Sequence, residues 1–200
     1  MREVIRTFIA IELTEDLQRA LADVQAQFKR NRAARSVRWV APENIHITLK
    51  FLGDVDADRM SDLRGALGDA CVGIAPFTLT LGGAGVFPNT HRPNVVWIGA
   101  RGQIEVATRL AQRIDDACAA LGFVREERLF APHLTLGRVK RDASPSERQL
   151  IGALMENAKI GVLGEVRVER VSVMKSELKP TGSVYARLAM CQLTNESMSR

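Results

Sequence analysis

The residues best suited to chemistry are two of the chain's three histidines, each placed two positions before a threonine. His46-Ile47-Thr48-Leu49 and His133-Leu134-Thr135-Leu136 repeat one phrase 87 residues apart. Alternate side chains of a strand share a face. His46 and Thr48 are therefore expected to face away from Ile45, Ile47 and Leu49, and His133 and Thr135 away from Leu134 and Leu136. Imidazole titrates at about pH 6.5 in model peptides, so a pair can divide the work, one neutral as base and one protonated as acid. That division suits transesterification or hydrolysis of a phosphodiester, where the nucleophile loses a proton and the leaving oxygen gains one. The threonine hydroxyls could donate hydrogen bonds to the non-bridging oxygens, where charge accumulates. Such a scheme requires no metal and no cofactor. One H-x-T strand carries little weight, because both residue types are tolerated in strands; the second copy is what points to a site. His91, in Asn89-Thr90-His91-Arg92-Pro93, lacks this context and reads as a loop residue.

The elements that must position the two phrases follow from periodicity. Val4 to Leu13 reads as a strand, and Thr14 as the cap of a helix with Leu17, Leu21, Val24 and Phe28 on one side. Val37 to Val40 is a short strand stopped before Pro42. The first histidine strand runs from Ile45 to Leu52 and ends at Gly53, before a helix with Met60, Leu63 and Leu67 inward. Phe77 to Leu81 alternates as a strand, and Gly82-Gly83-Ala84-Gly85 is expected to loosen the chain before Val86 and Phe87. Val95 to Ile98 is a buried strand. Ile104 to Leu121 is an amphipathic helix closed by Gly122, and Ser144-Pro145-Ser146-Glu147 starts another with a capping box. Val166 to Met174 alternates as one strand, Lys179 to Gly182 is a turn, and Val184 to Leu193 is the last strand. The halves share an order of strand, helix, histidine strand, helix and strand. Phe8 precedes His46 by 38 residues and Val96 precedes His133 by 37. Duplicated lobes would set the histidines on opposite sides of one cleft. Residues 1–193 are accordingly read as a single two-lobed domain with an internal pseudo-repeat, and 194–200 as a disordered tail.

Composition narrows the class. A hydrophobic fraction of 46% supports a core and argues against disorder. No run is long and apolar enough for a membrane span, and Met1 to Arg6 lacks the apolar core of a signal peptide. Cys71, Cys118 and Cys191 are odd in number and far apart, which suggests neither a disulfide framework nor a zinc site; a reducing cytoplasm is the simplest setting. The net charge is +5, and 22 of the 28 basic residues are Arg. Guanidinium groups fit phosphate oxygens, so a polyanion such as RNA is a reasonable partner, although an arginine-rich solvated surface explains the charge equally simply.

The sequence also resembles the two-histidine phosphoesterase superfamily, and within it the bacterial and archaeal RNA 2′,3′-cyclic phosphodiesterases, also called 2′-5′ RNA ligases. The resemblance runs through Arg6 to Ile11, Trp39 to Gly53, Phe87-Pro88 with Arg92-Pro93, Val96 to Gly99, Arg128 to Arg138 and Ser176 to Tyr185. It implies an α+β bilobed fold, each lobe an antiparallel sheet with outer helices and the active cleft between the sheets. It implies His46 as general acid and His133 as general base in the opening of an RNA terminal 2′,3′-cyclic phosphate to a 2′-phosphomonoester, with Thr48, Thr135 and Arg138 on the phosphate. By strand parity Arg138 would share the face of Leu134 and Leu136 unless a bulge at Gly137 re-aims it. Arg128 is a candidate for the cleft wall, with a solvated loop position the equal alternative. Phe51, Trp39 and Phe87 are candidates for stacking on a base, with core packing the more frequent role of an aromatic. The family chemistry uses no cofactor, and the chain has no P-loop. The implied partner is RNA bearing the cyclic end, tRNA fragments included, acted on by a monomer away from any membrane, with 2′-5′ joining as the same chemistry reversed. Rival readings are a phosphodiesterase for small cyclic nucleotides or ADP-ribose cyclic phosphate, and an RNA-binding module without turnover.

Overall fold

A computed structural model describes residues 3–179 and 182–195. The strands in chain order are β1 (Val4–Ile11), β2 (Val37–Trp39), β3 (Ile47–Asp56), β4 (Phe77–Phe87), β5 (Val95–Gly102), β6 (His133–Val139), β7 (Val162–Val168), β8 (Arg170–Lys179) and β9 (Gly182–Gln192). The helices are α1 (Glu15–Lys29), α2 (Met60–Cys71), α3 (Ile104–Ala120) and α4 (Pro145–Glu156). Local signals set their starts. The Thr14 hydroxyl accepts from the Leu17 amide, and Ser144 and Glu147 close the expected capping box.

The strands pair antiparallel in the order β7-β4-β5-β6-β3-β1-β8-β9, with β2 added beside β6. The two lobes are therefore β3-β1-β8-β9 and β7-β4-β5-β6 with β2. Among the described residues their strands pair at one position, Ile47 opposite Leu134, so the sheets form one curled surface hinged at the two histidine strands. Ile47 and Leu134 are both fully buried. Burying such a side chain contributes about 1.5–3 kcal/mol, and a one-residue slip would turn both into the cleft. Burial of the aliphatic set thus fixes which face the histidines occupy.

Helices cover the outer face, and they are exchanged between halves. Helix α1 packs against β7 and α4 against β4, whereas α2 packs against β9 and α3 against β3. A helix from the first half of the chain covers the second lobe, and α3 does the reverse. The main core lies between the helices and the outer face. A separate small cluster of Phe8, Ala10 and Met174, joined by Tyr185, lies on the inner face.

Three expectations are corrected. Gly53 does not end its strand: it takes φ of +73° opposite Thr7, and β3 continues to Asp56. The glycines after Leu81 do not loosen the chain, and β4 runs through them. They admit close neighbours instead, since a Cβ on Gly82 would lie 2.6 Å from the Gly161 carbonyl oxygen and one on Gly85 would lie 2.3 Å from the Trp97 ring. The alternating run from Val166 to Met174 is two strands, split at Glu169. Strand β7 edges one lobe beside β4 and β8 pairs with β1 in the other. The alternation does not carry across the split: Val166 and Val168 are buried on one side of β7, whereas Val171 to Met174 are all buried at the start of β8. Of the expected tail, Thr194 bridges Val72, while 196–200 lie outside the described residues, as do Met1-Arg2 and Pro180-Thr181 of the expected turn.

Candidate active site

Each histidine is held in the same local way. His46 Nδ1 lies 2.8 Å from the Asn44 carbonyl oxygen, and His133 Nδ1 lies 2.7 Å from that of Ala131. A carbonyl can only accept, so Nδ1 carries the proton and Nε2 is left to the cleft. The Asn44 side chain in turn donates through Nδ2 to the Ser183 carbonyl at 2.7 Å, which ties this turn to β9. Ile45, Ile47 and Leu49 are buried while His46 and Thr48 are accessible; Leu134 and Leu136 are buried while His133 and Thr135 are half-exposed. The expected alternation is present in both motifs, although the ladder pairing of β3 begins one residue after His46.

The pair Ile47–Leu134 sets the relation between the motifs. Extended one residue each way, this antiparallel register sets His46 toward Thr135 and Thr48 toward His133, on the face opposite the two aliphatic residues, and the charge of His133 is felt at His46. The histidines are diagonal neighbours, a relation that places Cα atoms about 7–8 Å apart. Two imidazoles and two hydroxyls thus converge on one space.

Both motifs then carry a bulge at the same point. Leu49 is the extra residue between Thr48, opposite Ala10, and Lys50, opposite Ile9. Leu136 is the extra residue between Thr135, opposite Trp97, and Gly137, opposite Val96. A bulge inserts one residue and resets the alternation. Phe51 and Arg138, each five positions after its histidine, are returned to the inner face. The parity problem at Arg138 is resolved this way, with Leu136 as the bulged residue. Gly137 is required beside it, because a Cβ there would lie 2.6 Å from Val37 Cγ1. Helices anchor both bulges from behind. Buried Gln25 of α1 donates to the Leu136 carbonyl at 3.0 Å, which also accepts from the Val40 amide at 2.9 Å. Buried Lys50 reaches Asp115 of α3 and the Val124 carbonyl, the latter at 2.7 Å. Asp115 also accepts from the Glu126 amide, which fastens the segment leading to His133.

The surroundings of the two histidines differ. Phe8 stacks on His46 at 4.6 Å between centroids and 25° between planes, and Tyr185 meets it edge-on at 5.3 Å. Burial lowers the proton affinity of His46 below the usual histidine value, and the nearby His133 acts in the same sense; the Asn44 carbonyl and the Glu12 carboxylate oppose without reversing it. Glu12 is kept charged: burial alone would favour its neutral form, but hydrogen bonds from Arg187 and Ser172 hold its pKa below the usual value. His133 meets the edge of Phe87 at 4.9 Å, and Phe87 lies 5.1 Å from Trp97.

The remaining candidates separate. Phe51 is 50% exposed on the inner face, with the Arg6 guanidinium 4.7 Å over its ring. Trp39 is turned the other way, stacked on Phe28 of α1 with its Nε1 donating to the Ala34 carbonyl. Arg128 lies in the loop before β6, where its side chain is 92% exposed and pairs with Glu126. His91 is exposed in its turn. Sequence reasoning missed the support of His46 by Phe8, Tyr185, Asn44 and Glu12, and it missed Arg38. Tyr185 is the chain's one tyrosine, but nothing local places it beside a residue 139 positions earlier. Among the described residues no group of three His, Cys, Asp or Glu side chains is arranged to hold a metal, and no helix is long and apolar enough to cross a membrane.

A curled two-lobed sheet with paired histidines and threonines on its inner face defines a phosphoesterase type of site. Comparison with known proteins agrees. The model of the LigT-like phosphoesterases matches twice, over residues 11–97 and 98–185. The chain belongs to this family. A relative from Methanothermobacter thermautotrophicus, named RNA 2′,3′-cyclic phosphodiesterase, is 36% identical over 94% of this chain and 99% of its own length. One of the same name from Thermotoga maritima is 33% identical over 94% and 95%. Among solved structures, a Thermus thermophilus protein superposes with a TM-score of 0.77 at 29% identity, over 96% of this chain and all of its own. Escherichia coli LigT complexed with 3′-AMP gives 0.76 at 26% identity, over 96% and 99%.

Proposed function

We propose that the chain opens the 2′,3′-cyclic phosphate at the end of an RNA, such as a cleaved tRNA, to a 2′-phosphomonoester. The observation that carries this reading is the convergence of two H-x-T pairs on one face, each histidine with Nδ1 tied back and Nε2 free for the cleft. His133 takes a proton from water as the water oxygen bonds to phosphorus. The bond from phosphorus to O3′ breaks, and His46 delivers its proton to that oxygen. Thr48 and Thr135 donate to the non-bridging oxygens, and Arg138 completes the anion site. The division between acid and base follows the family pattern. The low proton affinity of His46 makes its imidazolium a ready donor, and the bound phosphate charge favours loading it. A 5′-hydroxyl in the place of water would give a 2′-5′ phosphodiester with the same groups. The names of the relatives support the RNA end as substrate, and the free cysteines suit the cytoplasm.

The test is purified protein with an RNA ending in 2′,3′-cyclic phosphate, with EDTA present. Accumulation of a 2′-phosphate end is expected. No product under these conditions would overturn the reading, and product only after metal is restored would overturn the protein-only scheme.

A further inference from the structure

The bulge that turns Arg138 inward also brings it face to face with a second guanidinium. Strand β2 continues the line of β3 along β6, and its register puts Arg38 directly opposite Arg138. Val37 and Trp39 point into the core beneath α1, so Arg38 points to the inner face. Along β6 that face therefore reads Thr48 beside His133, His46 beside Thr135, then Arg38 beside Arg138. Both arginines are exposed, and neither side chain makes an ion pair or hydrogen bond with another described residue. Glu147, whose carboxylate reaches Ser36 just before β2, is spent on that hydroxyl and on the cap of α4. Like charges directly opposite in a sheet are destabilising. A pair kept without a counter-charge, one step from a phosphate site, is the arrangement an anion would relieve.

We propose that Arg38 and Arg138 form a second phosphate subsite, which holds the phosphodiester preceding the terminal nucleotide, with Arg138 shared between the two phosphates. The inference rests on the reading of the cleft as a site for a cyclic phosphate end, and it names the substrate more narrowly. The site takes an oligonucleotide end in preference to a cyclic mononucleotide. A guanidinium fork can grip one phosphodiester through two oxygens; two forks side by side confine it.

The test uses the full chain and two series of probes. Turnover is compared on a cyclic mononucleotide and on a tetranucleotide ending in 2′,3′-cyclic phosphate. Binding is measured with a dye-labelled tetranucleotide ending in 2′-phosphate, and with the same molecule carrying an uncharged methylphosphonate at its last internal linkage. Wild type is expected to favour the tetranucleotide, and to bind the methylphosphonate probe about tenfold more weakly than the charged one, the worth of one charge-assisted contact. In Arg38→Ala the ratio of tetranucleotide to mononucleotide kcat/KM should fall about tenfold, and the methylphosphonate penalty should disappear. The slope of log affinity against log salt should drop by about one. Arg38→Lys should restore the salt slope more fully than the affinity. Equal losses on both substrates would put Arg38 on the reacting phosphate and overturn the proposal, and so would unchanged ratios in Arg38→Ala. If wild type turns over neither substrate yet shows the methylphosphonate penalty, the hydrolytic reading fails while the subsite stands.

Discussion

The two histidine strands are copies in outline and unlike in surroundings. Each offers a histidine tied by Nδ1 to the carbonyl two residues back, a threonine on the same face, and a bulge at the following leucine. Beyond the bulge the first strand presents Phe51 and the second Arg138. Behind the histidines the first lobe packs Phe8, Tyr185 and the Glu12–Arg187 pair, whereas the second sets the edge of Phe87. A duplicated motif therefore supplies matched geometry, and its unmatched neighbours supply chemical asymmetry. Asymmetry is what acid–base catalysis requires, since one imidazole must hold a proton while the other lacks it.

The largest effects should come from the matched part. His46→Ala and His133→Ala are each expected to lower kcat/KM on an RNA cyclic phosphate by about 10²- to 10⁴-fold, with circular dichroism unchanged. If one variant retained near wild-type turnover, the pairing of the motifs in one reaction would be broken. The helix anchors behind the bulges should differ in stability. Lys50→Met takes from the mostly buried Asp115 its buried cation and leaves it Arg125, 3.4 Å away and largely exposed, at a cost of about 3 kcal/mol in denaturant unfolding, the low end for breaking a buried pair. Gln25→Ala removes one of two donors from the Leu136 carbonyl and should cost about 1–3 kcal/mol. An equal cost would show that the two anchors are more alike than their chemistry suggests.

Unmatched positions should separate by salt. Arg138→Gln is expected to weaken RNA binding and lower the salt slope by about one. Phe51→Ala should weaken it by about 1–3 kcal/mol of stacking with the slope unchanged. The smallest expected effect is a shift in a pH profile. An acid must be protonated to work, so activity falls as pH rises through its pKa. Burial depresses that of His46 in the free protein; the alkaline limb of kcat/KM should therefore lie below about 6.5, the ordinary histidine value. A bound phosphate raises the proton affinity of His46, so the corresponding limb of kcat should lie at higher pH. A kcat/KM limb well above the ordinary value would transfer the acid role away from His46.

Much of the site was legible without coordinates, because its signals are local. The H-x-T-L phrases fix which face each histidine takes, through the burial of Ile47, Leu49, Leu134 and Leu136. Thr14 and Ser144 mark helix starts through bonds made within three residues. Arg138 was legible only as a contradiction of parity, since a bulge depends on the partner strand. Arg38 was visible as the polar member of Val37-Arg38-Trp39, but its partner is 100 residues away.

By itself, then, the sequence determined the alternation of the two strands, the repeat that carries them and the type of chemistry they share. Each of these needs only the period of a strand and the identity of its side chains. The tertiary structure alone decided the exchange of helices, the split of one alternating run between two lobes and the bulges that aim Phe51 and Arg138. It also decided the packing of Phe8 and Tyr185 that sets His46 apart from His133. Those depend on which distant segments share a surface, and no local pattern of residues records that.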